Sequence, residues 1–215
     1  MMSPAFARFY LRTIYPGFSI VDHPGTDWPR QAVVPVIPHT SNRDFPFGLL
    51  ARSIMGQYIG FVGKDSLFKG PMGGVLRWFG GVAVDRSKSN NFVEATAAVF
   101  ETHPDFKLCI TPEGTRSRVE KLKTGFYWIA RTAGVPLVLC RFDFKNKVIE
   151  FAPPFLPTDE ERDFRRINAY FEGIQGLIPR NSFRPEVENL LPTELISRGW
   201  EEAMRVYDAR RPANS

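Results

Sequence analysis

Histidine and cysteine are scarce, with three of one and two of the other in 215 residues. Cys109 and Cys140 lie inside apolar runs, and His23, His39 and His103 are scattered, so no group has the spacing of a zinc site. No metal and no cofactor are therefore expected, and the two thiols read as core residues of strands. Long apolar runs are missing as well. Nothing approaches the ~18 consecutive residues of a membrane-spanning helix, and no charged start followed by an apolar segment and a small-residue cleavage site is visible. These absences lead us to expect a cytoplasmic protein with no spanning segment. Dense basic runs and recognised nucleic-acid motifs are also lacking, which argues against nucleic acid as a partner. No serine stands in a G-x-S-x-G setting, which counts against a serine-type lipid hydrolase.

What the chain does have is enough apolar residues, 43 % of the total, for one well-buried domain. Its net charge of +5 is unevenly spread. Residues 1–150 carry 19 Lys/Arg against 12 Asp/Glu, or +7; residues 151–215 carry 9 against 11, or −2. A basic body points to an anionic partner such as a phosphate or an anionic membrane.

The chain is organised around Pro38-His39-Thr40-Ser41-Asn42-Arg43-Asp44. The run before it, Ala32–Ile37, is short and mostly β-branched, and reads as a buried strand. The run after it has apolar residues at helical spacing up to Met55. Such a strand–turn–helix junction is where α/β folds bind ligands, outside the carboxyl ends of their strands. With His39 at the strand end and Asp44 near the helix start, the turn can fold back and bring imidazole and carboxylate together. Asp44 would then accept the Nδ1 proton and leave Nε2 as a base. Taken alone, this spacing fits equally a loop histidine and a helix-capping aspartate.

Three further strands end in chemically capable turns. Tyr58 to Val62 runs into Gly63-Lys64, Val82–Val84 into Asp85-Arg86, and Phe106–Ile110 into Thr111-Pro112-Glu113-Gly114-Thr115-Arg116. The last turn combines a carboxylate, a glycine that exposes backbone N–H groups and a guanidinium suited to phosphate. Alternating strands and helices predict a largely parallel α/β sheet, whose strand ends gather on one rim. Helices are expected near residues 90–101, 126–130, 158–174 (with Thr158 as N-cap) and 194–207, and strands at Val135 to Phe144 and Val148 to Phe151. Near the start, a short helix ending before Pro16 would place Phe6, Phe9, Tyr10 and Ile14 on one face and Arg8 and Arg12 on another. That face suits a helix packed on the domain or an interfacial anchor.

Four ordered blocks across residues 33–140 resemble the glycerophospholipid acyltransferases of the 1-acyl-glycerol-3-phosphate acyltransferase type. His39-Thr40-Ser41-Asn42-Arg43-Asp44 fits H-x4-D; Gly80-Gly81-Val82-Ala83-Val84-Asp85-Arg86 is like G-x-x-x-x-D-R; Thr111–Ser117 is close to F-P-E-G-T-R-S; and Val135-Pro136-Leu137-Val138 is like V-P-x-x. Pro38 and Thr111 stand where the family usually has Asn and Phe. The resemblance implies a single α/β domain with a mixed, largely parallel central sheet flanked by helices. It implies that His39 takes the proton from an acceptor hydroxyl while Asp44 orients it, with no acyl-enzyme. Backbone N–H groups would steady the thioester oxyanion. Arg86, Arg116 and Lys64 would hold the acceptor's phosphate, and Glu113, Gly114 and Thr115 would shape its pocket. Phe45, Phe47, Phe68, Trp78 and Phe79 are candidates for an apolar acyl channel, or for plain core.

The expected partners are a lysophospholipid acceptor, an acyl-CoA or acyl carrier protein donor, and the cytoplasmic membrane surface, bound peripherally. The expected layout is an N-terminal amphipathic helix and linker over 1–30, an acyltransferase domain over 31–175 and a C-terminal helical extension over 176–215. The alternatives are an acyltransferase for another head group, such as an ornithine-type lysolipid, a lipid or thioester hydrolase, and a non-catalytic lipid-binding protein.

Overall fold

In the computed structural model of the protein, residues 2–84 and 92–184 are described. The elements in chain order are α1 (Pro4–Ile14), β1 (Ser19–Asp22), β2 (Ala32–Ile37), α2 (Asp44–Met55), β3 (Ile59–Lys64), α3 (Asp65–Lys69), α4 (Gly73–Trp78) and β4 (Gly81–Val84). There follow α5 (Phe92–Thr102), β5 (Lys107–Ile110), α6 (Gly125–Ala133), β6 (Cys140–Asp143), β7 (Val148–Phe151), α7 (Glu160–Phe171) and a 3-10 turn over Pro179–Asn181. The strands form one sheet in the order β1-β7-β6-β2-β5-β3-β4. Among the strands of the described residues, β6 and β7 pair antiparallel and every other neighbouring pair is parallel. This is the largely parallel sheet that the alternation of elements predicts and the mixed, helix-flanked one that the resemblance implies.

All six residues of β2 are buried, because helices cover both faces of the sheet at its centre. On one face Val33, Ile37 and Leu108 pack against α5, α6 and α7 through Phe100, Tyr127, Ile129 and Phe171. On the other, Val34 and Val36 pack against α1 and α2 through Ala7, Leu11, Phe47 and Leu50. The edge formed by β3 and β4 is covered on this second face by α3 and α4, whose Phe68 ring lies against Gly63 and Gly81. Gly60 marks a close backbone approach: a Cβ there would sit 2.3 Å from the Gly80 carbonyl oxygen.

Several elements differ from expectation. The apolar run from Val135 is not one strand. Val33 exchanges both backbone groups with it, donating to Pro136 O and accepting from Val138 N. Pro35, two residues further and aimed the same way, has no N–H with which to continue the ladder. Regular pairing resumes only at Cys140. The helix expected from Thr158 starts at Glu160, and its cap is Asp159, whose side chain accepts the Arg162 N–H. Strand β1 and helix α3 arise where no element was expected. The helix expected over 194–207 lies outside the described residues.

Helix α1 packs on α2 through Ala7 and Leu11, with the Ser3 hydroxyl capping its start. Its aromatic stripe faces outward: Phe6, Phe9, Tyr10 and Ile14 are 52 %, 67 %, 44 % and 49 % exposed. Among the described residues, no helix is long and apolar enough to cross a membrane.

Candidate active site

His39 follows β2 directly, after a cis Ile37–Pro38 peptide. Asp44, the first residue of α2, turns back toward it. One carboxylate oxygen, Asp44 Oδ2, accepts the Thr40 N–H at 2.7 Å and the Ser41 N–H at 2.9 Å. The same oxygen lies 3.2 Å from His39 Nδ1. The Asp44 side chain is 4 % exposed and that of His39 18 %. The carboxylate thus folds the turn and sets an acceptor beside Nδ1, an arrangement in which an imidazole that keeps its proton on Nδ1 presents Nε2 as the free nitrogen.

Glu113 comes from the turn after β5 and is buried at 2 % exposure. Its Oε2 accepts the His39 N–H at 2.6 Å, and its Oε1 is buried without a hydrogen-bond partner. Burial pushes the Glu113 carboxyl up to about 7; the His39 N–H opposes the shift and the charge of Asp44 adds to it. With the N–H groups of His39, Thr40 and Ser41 all taken by carboxylates, this loop keeps none of the three for a thioester oxyanion.

The other expected residues are distributed more loosely. Gly114 has φ +63°, a left-handed conformation that favours glycine, and the Lys123 side chain lies over it, with Nζ 2.5 Å from where a Cβ would sit. Thr115 is exposed, and its hydroxyl accepts the Ser117 N–H. Arg116 is exposed on the rim of the cavity described below. Lys64 ends β3 and is exposed at the same end of the sheet, two strands from β2, and does not line that cavity. Arg86 lies outside the described residues. Sequence reading missed Lys123 as a site neighbour, because nothing in the local pattern shows that its side chain reaches back over Gly114.

A cavity of about 480 Å³ opens at His39 and Arg116 and runs beneath α2. One stripe of that helix forms its wall: Asp44, Phe45, Gly48, Leu49 and Arg52, spaced at helical intervals. The sheet floor is apolar, with Val34, Val36, Cys140 and Phe142 among its residues. Eight residues separate Asp44 from Arg52, which is roughly 12 Å along the helix. At that inner end Arg52 Nη1 donates to the carbonyls of Ile59 and Phe79, tying α2 to β3 and to the residues before β4. Of the five aromatic channel candidates, Phe45 lines the cavity. Phe47 and Phe68 are core instead, because they fill the gaps that α2 and α3 leave against the sheet. Trp78 is 69 % exposed and, like Phe79, does not reach the cavity.

A family model described as Acyltransferase matches residues 20–142. No curated protein matches this sequence. Among solved structures, the crystal structure of the 1-acyl-sn-glycerophosphate (LPA) acyltransferase PlsC from Thermotoga maritima is similar at 18 % identity. That match covers 97 % of this chain and 79 % of the other, with a TM-score of 0.49.

Proposed function

Because the chain belongs to the acyltransferase family, whose model spans more than half of it, we propose that it acylates the free hydroxyl of a lysophospholipid. The donor in this reading is a fatty acyl thioester of coenzyme A or acyl carrier protein, and the acceptor 1-acyl-glycerol-3-phosphate. The observation that carries the reading is the buried Asp44 Oδ2 at 3.2 Å from His39 Nδ1, at the mouth of an apolar cavity with Arg116 on its rim. A base, an apolar slot and a guanidinium are what a long-chain acyl transfer to a phosphate-bearing alcohol requires.

In this mechanism His39 Nε2 takes the proton of the acceptor hydroxyl as its oxygen bonds to the thioester carbonyl carbon. Asp44 balances the imidazolium that forms. The tetrahedral intermediate then expels the thiolate, breaking the carbon–sulfur bond, and the thiolate receives the proton held on Nε2. The products are an ester and a free thiol. Lys64 and Lys123, together with Arg86, supply further positive charge for the acceptor phosphate, and Gly114 and Thr115 form the turn beneath it.

Lipid substrates are met at a membrane, and α1 supports peripheral attachment at the cytoplasmic face. Its outward stripe of Phe6, Phe9, Tyr10 and Ile14, with Arg8 and Arg12 beside it, suits the apolar–anionic boundary of a bilayer. The test of the reaction is thiol release from palmitoyl-CoA by purified protein, with and without lysophosphatidic acid. Release that depends on the lysolipid and disappears in His39→Ala is the expected result. Release without any acceptor would make the protein a thioesterase, and unchanged turnover in His39→Ala would remove the assigned base.

A further inference from the structure

Glu113 belongs to a block whose resemblance points at the acceptor, yet its side chain is engaged elsewhere. It is nearly inaccessible, and its one hydrogen-bonded oxygen holds the backbone N–H of His39 across the gap between β5 and β2. The contact spans 74 residues of sequence. From this geometry we infer that Glu113 is a positioning residue, whose carboxylate sets the place and the charge surroundings of the His39 imidazole without touching the acceptor. The inference rests on the reading of His39 as the base.

The surroundings favour that role. Asp44 reaches the same histidine from α2, so two carboxylates face it, one at the ring and one at the backbone. Lys123 lies over Gly114, the residue after Glu113, and Arg116 stands on the cavity rim. Behind the loop, the segment over 174–183 presents uncharged groups to Thr40: Gly176 packs against its side chain, and the Ile178 N–H donates to its hydroxyl. Arg180, in the same segment, is exposed. The unpartnered Oε1 matters too. A carboxylate kept in the interior with one oxygen unpaired calls for a reason, and the grip of its other oxygen on the His39 N–H supplies one. An ionised Glu113 grips the N–H through a charge-assisted bond, and a protonated one through a weaker, neutral bond. Burial places that change near neutral pH.

Two substitutions and one spectroscopic measurement test the inference. Glu113→Gln keeps an oxygen for the His39 N–H and removes the charge; Glu113→Leu removes both. We expect kcat to fall roughly ten-fold in the first and on the order of 100-fold in the second. The KM for the lysolipid should be unchanged in both. In the wild type, part of the fall in kcat below about pH 7 should come from Glu113 taking up its proton, and Glu113→Gln should lose that part and keep only the acid limb of the base His39 itself. An acceptor-pocket residue would behave oppositely, raising KM with kcat and its pH profile preserved, and that result would overturn the inference. The backbone amide resonance of His39 gives a readout that needs neither activity nor a variant. It should lie far downfield and titrate near neutrality; an amide that does not respond to pH in that range refutes the grip. If no lysolipid is acylated at all, the reaction assignment fails while the amide titration still decides the contact.

Discussion

Asp44 Oδ2 accepts the Thr40 N–H at 2.7 Å and also faces His39 Nδ1 at 3.2 Å, so one oxygen both builds the turn and meets the imidazole. Asp44→Asn separates the two roles, since a neutral amide oxygen still accepts from Thr40 and Ser41 but cannot balance an imidazolium. Thiol release should fall on the order of 1,000-fold or more, with the thermal midpoint little changed. Asp44→Ala strands two backbone N–H groups as well, and should cost about 1–3 kcal/mol of stability by denaturant titration. Full activity in Asp44→Asn would refute the pairing.

The buried carboxyl of Glu113 makes a signed prediction about stability. Its folded value of about 7 lies above the ordinary 4.5, so between these pH values the folded chain holds a proton that the unfolded chain has lost. The contribution is therefore fully present below about pH 4.5 and declines as pH rises through about 7, by an amount on the order of 3 kcal/mol. Glu113→Gln removes this dependence. Urea unfolding of both proteins at pH 5 and pH 8 should show the variant gaining on the wild type at the higher pH. A difference independent of pH would falsify the burial of an ionisable group at this position.

Gly48 faces the cavity from α2, and a Cβ there would meet Phe142 Cζ at 3.5 Å, an ordinary contact. Gly48→Ala should therefore be tolerated, with about 1 kcal/mol of added stability from helix propensity and long-chain donors still used. Gly48→Phe should fill the slot and shift donor preference toward short acyl-CoA, leaving the KM of the lysolipid in place. Chain-length profiles of the two variants distinguish an acyl slot from a cavity that holds no substrate.

The outward face of α1 should govern attachment to lipid. Phe9, the most exposed of its aromatics at 67 %, can be replaced by Asp without touching the buried Ala7–Leu11 side. Co-sedimentation with vesicles of phosphatidylglycerol and phosphatidylcholine should drop several-fold in Phe9→Asp, while turnover of a short-chain, water-soluble lysolipid persists. Undiminished sedimentation, or none by the wild type, would refute this face as a lipid contact.

The strand–turn–helix at residues 32–55 could be read from local pattern alone, because a β-branched run, a polar turn and an apolar helix repeat each obey a local rule. The outward face of α1 could not. A stripe of Phe6, Phe9, Tyr10 and Ile14 is compatible with core or with surface, and only the packing of Ala7 and Leu11 on α2 settles which side turns inward. The break in the strand from Val135 was hidden for a similar reason: it originates in Pro35, about a hundred residues away, on the neighbouring strand.

The site divides along the same line. The chain's own order of residues determined that His39 and Asp44 share one turn, that Glu113, Gly114 and Arg116 share another, and that parallel strands carry both to one rim, since each is a matter of short spacing and alternation. Tertiary structure alone decided that Glu113 turns inward to the His39 backbone, that Lys123 lies over Gly114, and that the cavity runs beneath α2 to Arg52. The physical reason is that a side chain's partner is set by competition among all groups within reach once the sheet has closed. Sequence separation, here 74 residues between Glu113 and His39, carries no trace of that outcome.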